Sequence, residues 1–150
     1  QILTILLSSI PFLCFGVAAF VIFTEVFNAS VLFAFHPLMM TLAFILCFPY
    51  GSMIYRLEVF DAKLDPLGVV RPMETLRRSH RTWQVIGALS ALAGFAIIFT
   101  NKLINKELKL ELPSVHASFG FLTLGLVLVQ VIIGMIKISK LEKTGEKVHR

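Results

Sequence analysis

Charge is scarce in this sequence. Asp, Glu, Lys and Arg make up 15% of its 150 residues, where a soluble globular chain carries roughly 25%. Cysteine is nearly absent: Cys14 and Cys47 are the only two, and both fall inside apolar stretches. Thiols so placed are packing residues. They build no disulfide framework and leave the redox compartment unreadable. There is no internal repeat and no low-complexity segment. No basic region and no small-residue cleavage site accompany the first apolar stretch, so it reads as a membrane helix rather than a signal peptide. The chain runs from Gln1 rather than Met to Arg150, which reads as an excised domain.

What is present is apolar. Hydrophobic residues reach 57% and the mean hydropathy is +0.84; a soluble domain is nearer roughly 45–50% apolar. The excess sits in four segments, at about residues 2–26, 35–55, 80–100 and 116–136. Twenty helical residues at 1.5 Å each reach about 30 Å, the thickness of a bilayer core. Only helices and closed barrels span lipid, and these runs are too long for barrel strands. The expected fold class is therefore all-α, a multi-pass transmembrane helical bundle. Pro11 is placed to kink the first segment, Pro37 suits a first helical turn, and Pro49 suits a bend. Asp65-Pro66 and Gly68 mark a turn in the long polar connection between segments two and three.

Basic residues decide the expected orientation. Arg56, Lys63, Arg71, Arg77, Arg78 and Arg81 lie on one side, and Lys137, Lys140, Lys143, Lys147 and Arg150 follow segment four to the same side. Lys102, Lys106 and Lys109 are alone on the other. By the positive-inside rule, the second-to-third loop and the C-terminal tail face the cytoplasm. This placement beside apolar segments also argues against nucleic acid as a partner for the net charge of +5. Asn28-Ala29-Ser30 matches a glycosylation acceptor on the outer side, but its closeness to two spans argues against use.

Histidine occurs four times, as His36, His80, His116 and His149. The first three open apolar runs and the fourth stands where another run could begin. Ionisable groups at membrane depth mark function by default. Alternating spans put His36 level with His116 near the outer face, and His80 level with His149 near the inner face. Two imidazoles per level suit bis-histidine haem; zinc asks for three or four protein ligands, and no thiolate or carboxylate lies beside these positions. Followed at intervals of three and four, His36 leads to Met40, Ala43 and Cys47. His80 leads to Gln84, Gly87, Ala91 and Gly94, and His116 to Gly120, Thr123, Val127, Gln130 and Gly134. Such small faces suit either close helix packing or a groove for a flat porphyrin.

Four short motifs then carry a resemblance. Phe35-His36-Pro37-Leu38-Met39-Met40, Arg78-Ser79-His80-Arg81, Ser114-Val115-His116-Ala117-Ser118-Phe119-Gly120 and Lys147-Val148-His149 resemble, in order and spacing, the four histidine regions of the cytochrome b561 family. The likeness is greatest to its short, single-domain members and covers residues 35–150. It implies six helices, of which four are present here, and two b-type haems per complete chain. It implies that His36 and His116 ligate the outer haem iron and His80 and His149 the inner one. Helices five and six are not in this sequence, so the departure falls on the helix that would carry His149.

The resemblance further implies electron transfer from cytoplasmic ascorbate to an outer acceptor, monodehydroascorbate or ferric iron, in an endomembrane or the plasma membrane. The lipid bilayer is a partner, and a homodimer is left open. An anionic reductant needs cations. Arg77, Arg78 and Arg81 flank His80 and are the candidate substrate-binding residues, with Arg71, Lys147 and Arg150 behind them. Lys102, Lys106, Lys109 and Ser114 are the outer candidates. The positive-inside bias and headgroup contact would place the inner arginines here anyway. Trp83, one turn from His80, suits either a porphyrin face or an interfacial belt, as do Tyr50 and Tyr55. Two other functional classes remain: a haem-free scaffold or transporter, and a haem subunit serving a partner protein.

Overall fold

The computed structural model describes residues 2–27, 31–54, 56, 73–105 and 114–148. The glycosylation motif at residues 28–30, the turn at 65–68, Tyr55, Lys63, Arg71, Lys106, Lys109, His149 and Arg150 lie outside them, as do the side chains of Lys143 and Lys147. Every described element is helical. Four stretches are long and apolar enough to cross a bilayer: Ile5–Glu25, Leu32–Ile54, Glu74–Ile104 and Val115–Lys140. The chain divides into two compact units, Gln1–Leu108 and Lys109–Arg150.

In the first unit, helix α1 runs Ile2–Val21 and closes in a wider turn at Ile22–Val26, where the Phe27 amide reaches back five residues to Ile22 (2.7 Å). Pro11 lies inside α1 and is buried. Helix α2 follows a tight turn at Leu32–Ala34, runs Phe35–Thr41, widens at Leu42–Cys47 and continues through residues 48–54. Pro37 falls in its first turn, where a missing N–H costs nothing because that donor has no intrahelical acceptor.

The widened turn answers Pro49. Inside a regular helix a proline ring collides with the carbonyl four residues back and leaves it without a donor. Here the Phe48 amide bonds Ala43, one residue further back than α-helical spacing. The register is loosened just before the ring arrives, so the helix passes through Pro49 with a local π-turn.

Helix α3 spans Met73–Ile104, seven residues longer at its start than the apolar run. Its first turns are polar, and hydropathy does not register them. They are held instead by helix-forming residues and by Glu74 at the positive end of the helix dipole; the exposed Arg78–Glu74 pair at 3.7 Å adds little. His80 consequently lies two turns inside the helix rather than at its mouth. The core between α2 and α3 is built of small side chains: Ala43, Cys47, Ala88, Ser90 and Ala91 are buried, as are Gly51, Gly87 and Gly94. In lipid there is no water to drive helices together, and small residues let backbones approach closely enough for dispersion to hold them. Phe12 of α1 closes this end of the unit, packing edge-on against Tyr50 (4.8 Å) and Trp83 (6.0 Å).

The second unit carries helix α4, Val115–Val148, twelve residues longer at its end than the apolar run. Ser114 caps it, its Oγ accepting the Ala117 amide at 3.2 Å. The added turns are rich in Lys and Glu, good helix formers before which an apolar-run criterion stops too early.

Candidate functional site

Helices α2 and α3 are antiparallel, and their histidines are bonded crosswise. The His36 Nδ1–H on α2 donates to the Gly94 carbonyl on α3 at 2.8 Å. The His80 Nδ1–H on α3 donates to the Gly51 carbonyl on α2 at 2.7 Å. A carbonyl can only accept, so Nδ1 is the protonated nitrogen in both rings and Nε2 carries the ligating lone pair. Fixing one ring nitrogen by a carbonyl is how metal-binding histidines are oriented and made more basic.

The two rings stand far apart. His36 is level with Gly94, fourteen residues along α3 from His80; at 1.5 Å per residue that is about 21 Å along the axis. No single ion can take both, so they define two sites, one near each end of the pair. Among the described residues no three His, Cys, Asp or Glu side chains gather as a metal cluster, which leaves the imidazoles as the donor chemistry. An imidazole with Nδ1 fixed by a carbonyl suits an axial position of haem.

Each site has its own surroundings. Phe33 stacks on His36 at 6.1 Å and 24° between planes. Beside His80, Gln84 reaches the Phe48 carbonyl (3.4 Å) and Ser52 Oγ (3.3 Å). Trp83 is half-buried against Tyr50 at 4.9 Å and Phe12, so both Trp83 and Tyr50 are members of an aromatic cluster joining α1, α2 and α3.

The candidate arginines separate around α3. Residues advance about 100° each around a helix. Arg77 lies about 60° from His80 and one turn before it, Arg81 about 100° away, and Arg78 about 200° away on the opposite face. All three are exposed, and Arg78 engages Glu74. Arg77 is the one that shares a face with His80. Lys102 closes the last turn of α3. His116 occupies the first turn of α4 on the second compact unit, and His149 follows the last described residue.

The glycines answer the question left open by the sequence for His80. A Cβ on Gly87 would stand 2.7 Å from Phe48 Cε1 and 3.0 Å from Cys47 Cβ; one on Gly94 would meet Met39 Cβ at 3.2 Å. The small face that follows His80 along α3 is a helix-packing face. The two carbonyl acceptors were not singled out by sequence reasoning. The signal existed: one further step along the His36 face, past Cys47, reaches Gly51.

Four membrane-length helices, with two imidazoles fixed at opposite ends of one helix pair, are the frame of a helical membrane protein. Comparison with known families bears on which kind. The family model of eukaryotic cytochrome b561 matches residues 35–149, a stretch containing all four histidines. The chain belongs to the cytochrome b561 family, integral membrane proteins that use b-type haem for transmembrane electron transfer. No curated protein and no solved structure matches it.

Proposed function

We propose that the protein is a transmembrane oxidoreductase that takes electrons from cytoplasmic ascorbate and delivers them to an outer acceptor, monodehydroascorbate or ferric iron, through two b-type haems per complete chain. His36 and His116 hold the outer haem, His80 and His149 the inner one. The observation that carries this reading is the crosswise bonding of His36 and His80 at opposite ends of one helix pair. Haem, when bound, would supply a one-electron iron couple, and these four histidines are the residues that would hold it.

The chain's own residues do the rest. Gly94 and Gly51 hold the two imidazoles in the ligating tautomer. Packed helices exclude water between the two levels. Arg77, assisted by Arg81, draws an anionic reductant toward the His80 end, by the same logic that concentrates any anion beside clustered cations. Lys102 offers weaker attraction at the other end. The excess of basic residues beside the His80 end supports its assignment to the cytoplasmic side.

The test is a redox spectrum of the full-length protein in membranes, titrated with ascorbate, with haem counted per chain. Two haems, both reducible by ascorbate, are expected. Fewer than two under cofactor-preserving conditions sinks the two-site reading. A haem spectrum that ascorbate does not reduce would instead identify a subunit serving a partner protein, and no visible absorption would identify a scaffold or transporter.

A further inference from the structure

His80, Gly87 and Gly94 fall at seven-residue intervals on α3, which keeps them near one stripe facing α2. Gly87 is midway, about 10 Å along the axis from the level of each histidine's bond. Of Gly51, Gly87 and Gly94 it has the closest neighbours across the helix pair. Its Cβ position is already occupied by the edge of the Phe48 ring, with Cε1 at 2.7 Å and Cδ1 at 2.9 Å, and by Cys47 Cβ at 3.0 Å. A side chain there moves either the ring or the helices. Cys47 Cβ is fixed to the backbone, so the helices take part of the displacement.

Both histidine bonds cross this same gap. His36 reaches from α2 to a carbonyl of α3, and His80 from α3 to a carbonyl of α2. One separation therefore sets two bond lengths. The contact glycines at the ends differ in position, each standing beside one bond rather than between the two: a Cβ on Gly51 meets Trp83 Cβ and Gln84 Nε2 at 3.0 Å, and one on Gly94 meets Met39 and Met40 at 3.2–3.4 Å.

We propose that Gly87, which touches neither histidine, is a shared positioning residue: by setting the α2–α3 separation it holds the Nδ1–H bonds of His36 and His80 together, and so tunes both sites at once. The proposal rests on these two histidines being haem ligands. A shorter bond from Nδ1–H to a carbonyl makes Nε2 a stronger donor, which favours the ferric over the ferrous state. Spreading the helices weakens the donor and makes reduction easier.

The experiment is a spectroscopic redox titration of the full chain in membranes, with each component assigned by its loss in His36→Ala or His80→Ala. Gly87→Ala is expected to raise both midpoint potentials, each by a roughly three- to tenfold change in the one-electron equilibrium, about 30–59 mV. Gly51→Ala raises the His80 component alone and Gly94→Ala the His36 component alone, the latter least because its contacts are loosest. Adding Phe48→Ala to Gly87→Ala removes the 2.7 and 2.9 Å ring contacts but leaves Cys47 Cβ at 3.0 Å, so it returns both components part of the way toward wild type. If Gly87→Ala shifts one component or none, or if Phe48→Ala brings no return, the shared role is overturned. If Gly87→Ala does not accumulate, the end variants decide: either of them shifting both components, or neither shifting its own, overturns it. Absence of haem from the wild-type chain is a separate result that overturns the ligand assignment itself.

Discussion

Alanine at His80 is expected to abolish the inner haem signal and, with it, all reduction by ascorbate, while the outer haem stays bound and reducible by a small neutral reductant. The loss is all-or-none because a methyl group offers iron no donor, and no other His, Cys, Asp or Glu cluster among the described residues stands in for it. Collateral damage to the helix pair is small. The Gly51 carbonyl loses one hydrogen bond, that of the imidazole at 2.7 Å, worth about 1 kcal/mol net. Alanine at His36 gives the opposite pattern: the outer signal disappears and ascorbate still reduces the inner haem. His116→Ala is expected to copy His36→Ala, and His149→Ala to copy His80→Ala. Reduced-minus-oxidised spectra of the four variants check this directly. If His116→Ala instead removes the component lost in His80→Ala, the pairing by membrane level is wrong.

The second large effect concerns the reductant. Arg77→Gln is expected to slow reduction by ascorbate about tenfold, within the range electrostatic steering commonly supplies. Arg78→Gln is expected to change it little. Arg78 lies on the far side of α3 and is exposed and engaged with Glu74 at 3.7 Å; an exposed pair of that kind contributes little to stability. The Arg77 effect should shrink as salt rises, since exposed charges are screened beyond about 8–10 Å at physiological ionic strength. Stopped-flow reduction by ascorbate and by a neutral reductant, at two salt concentrations, separates the cases. Equal slowing with both reductants would assign Arg77 a structural role and remove it from the substrate path.

Much of this was legible in the sequence because lipid writes a strong signal. The first segment matched α1 and its closing turn at both ends, and the second matched α2 to within a residue at its described end, because apolar composition itself defines a span. The third and fourth segments fell short. Residues 73–79 are helical through propensity and Glu74 at the positive end of the dipole, and the turns after residue 136 through Lys and Glu; neither leaves a hydropathic trace. Pro49 was expected to bend α2. A widened turn at Leu42–Cys47 accommodates it, a backbone adjustment that side-chain pattern does not encode.

The site was half legible. Alternation of spans correctly put His36 and His80 at opposite ends. Their carbonyl partners were hidden because a backbone acceptor has no residue signature; only the small size of Gly51 and Gly94, which lets the chains approach, could have hinted at them. Trp83 shows the reverse limit. Its position one turn from His80 left a porphyrin face and an interfacial belt both open, and only the fold shows the Tyr50 and Phe12 rings packed against it.

The crosswise bonding of α2 and α3 has a consequence for direction. Each helix contributes one histidine and one acceptor carbonyl, fifteen residues apart on α2 and fourteen on α3. Turned end over end, the pair nearly reproduces itself. A conductor with this approximate twofold symmetry has no preferred sense of flow in its own backbone. Any rectification has to come from what differs between the ends: Phe33 beside one imidazole, Gln84 and the Phe12–Tyr50–Trp83 cluster beside the other, and the solutes that each face of the membrane supplies.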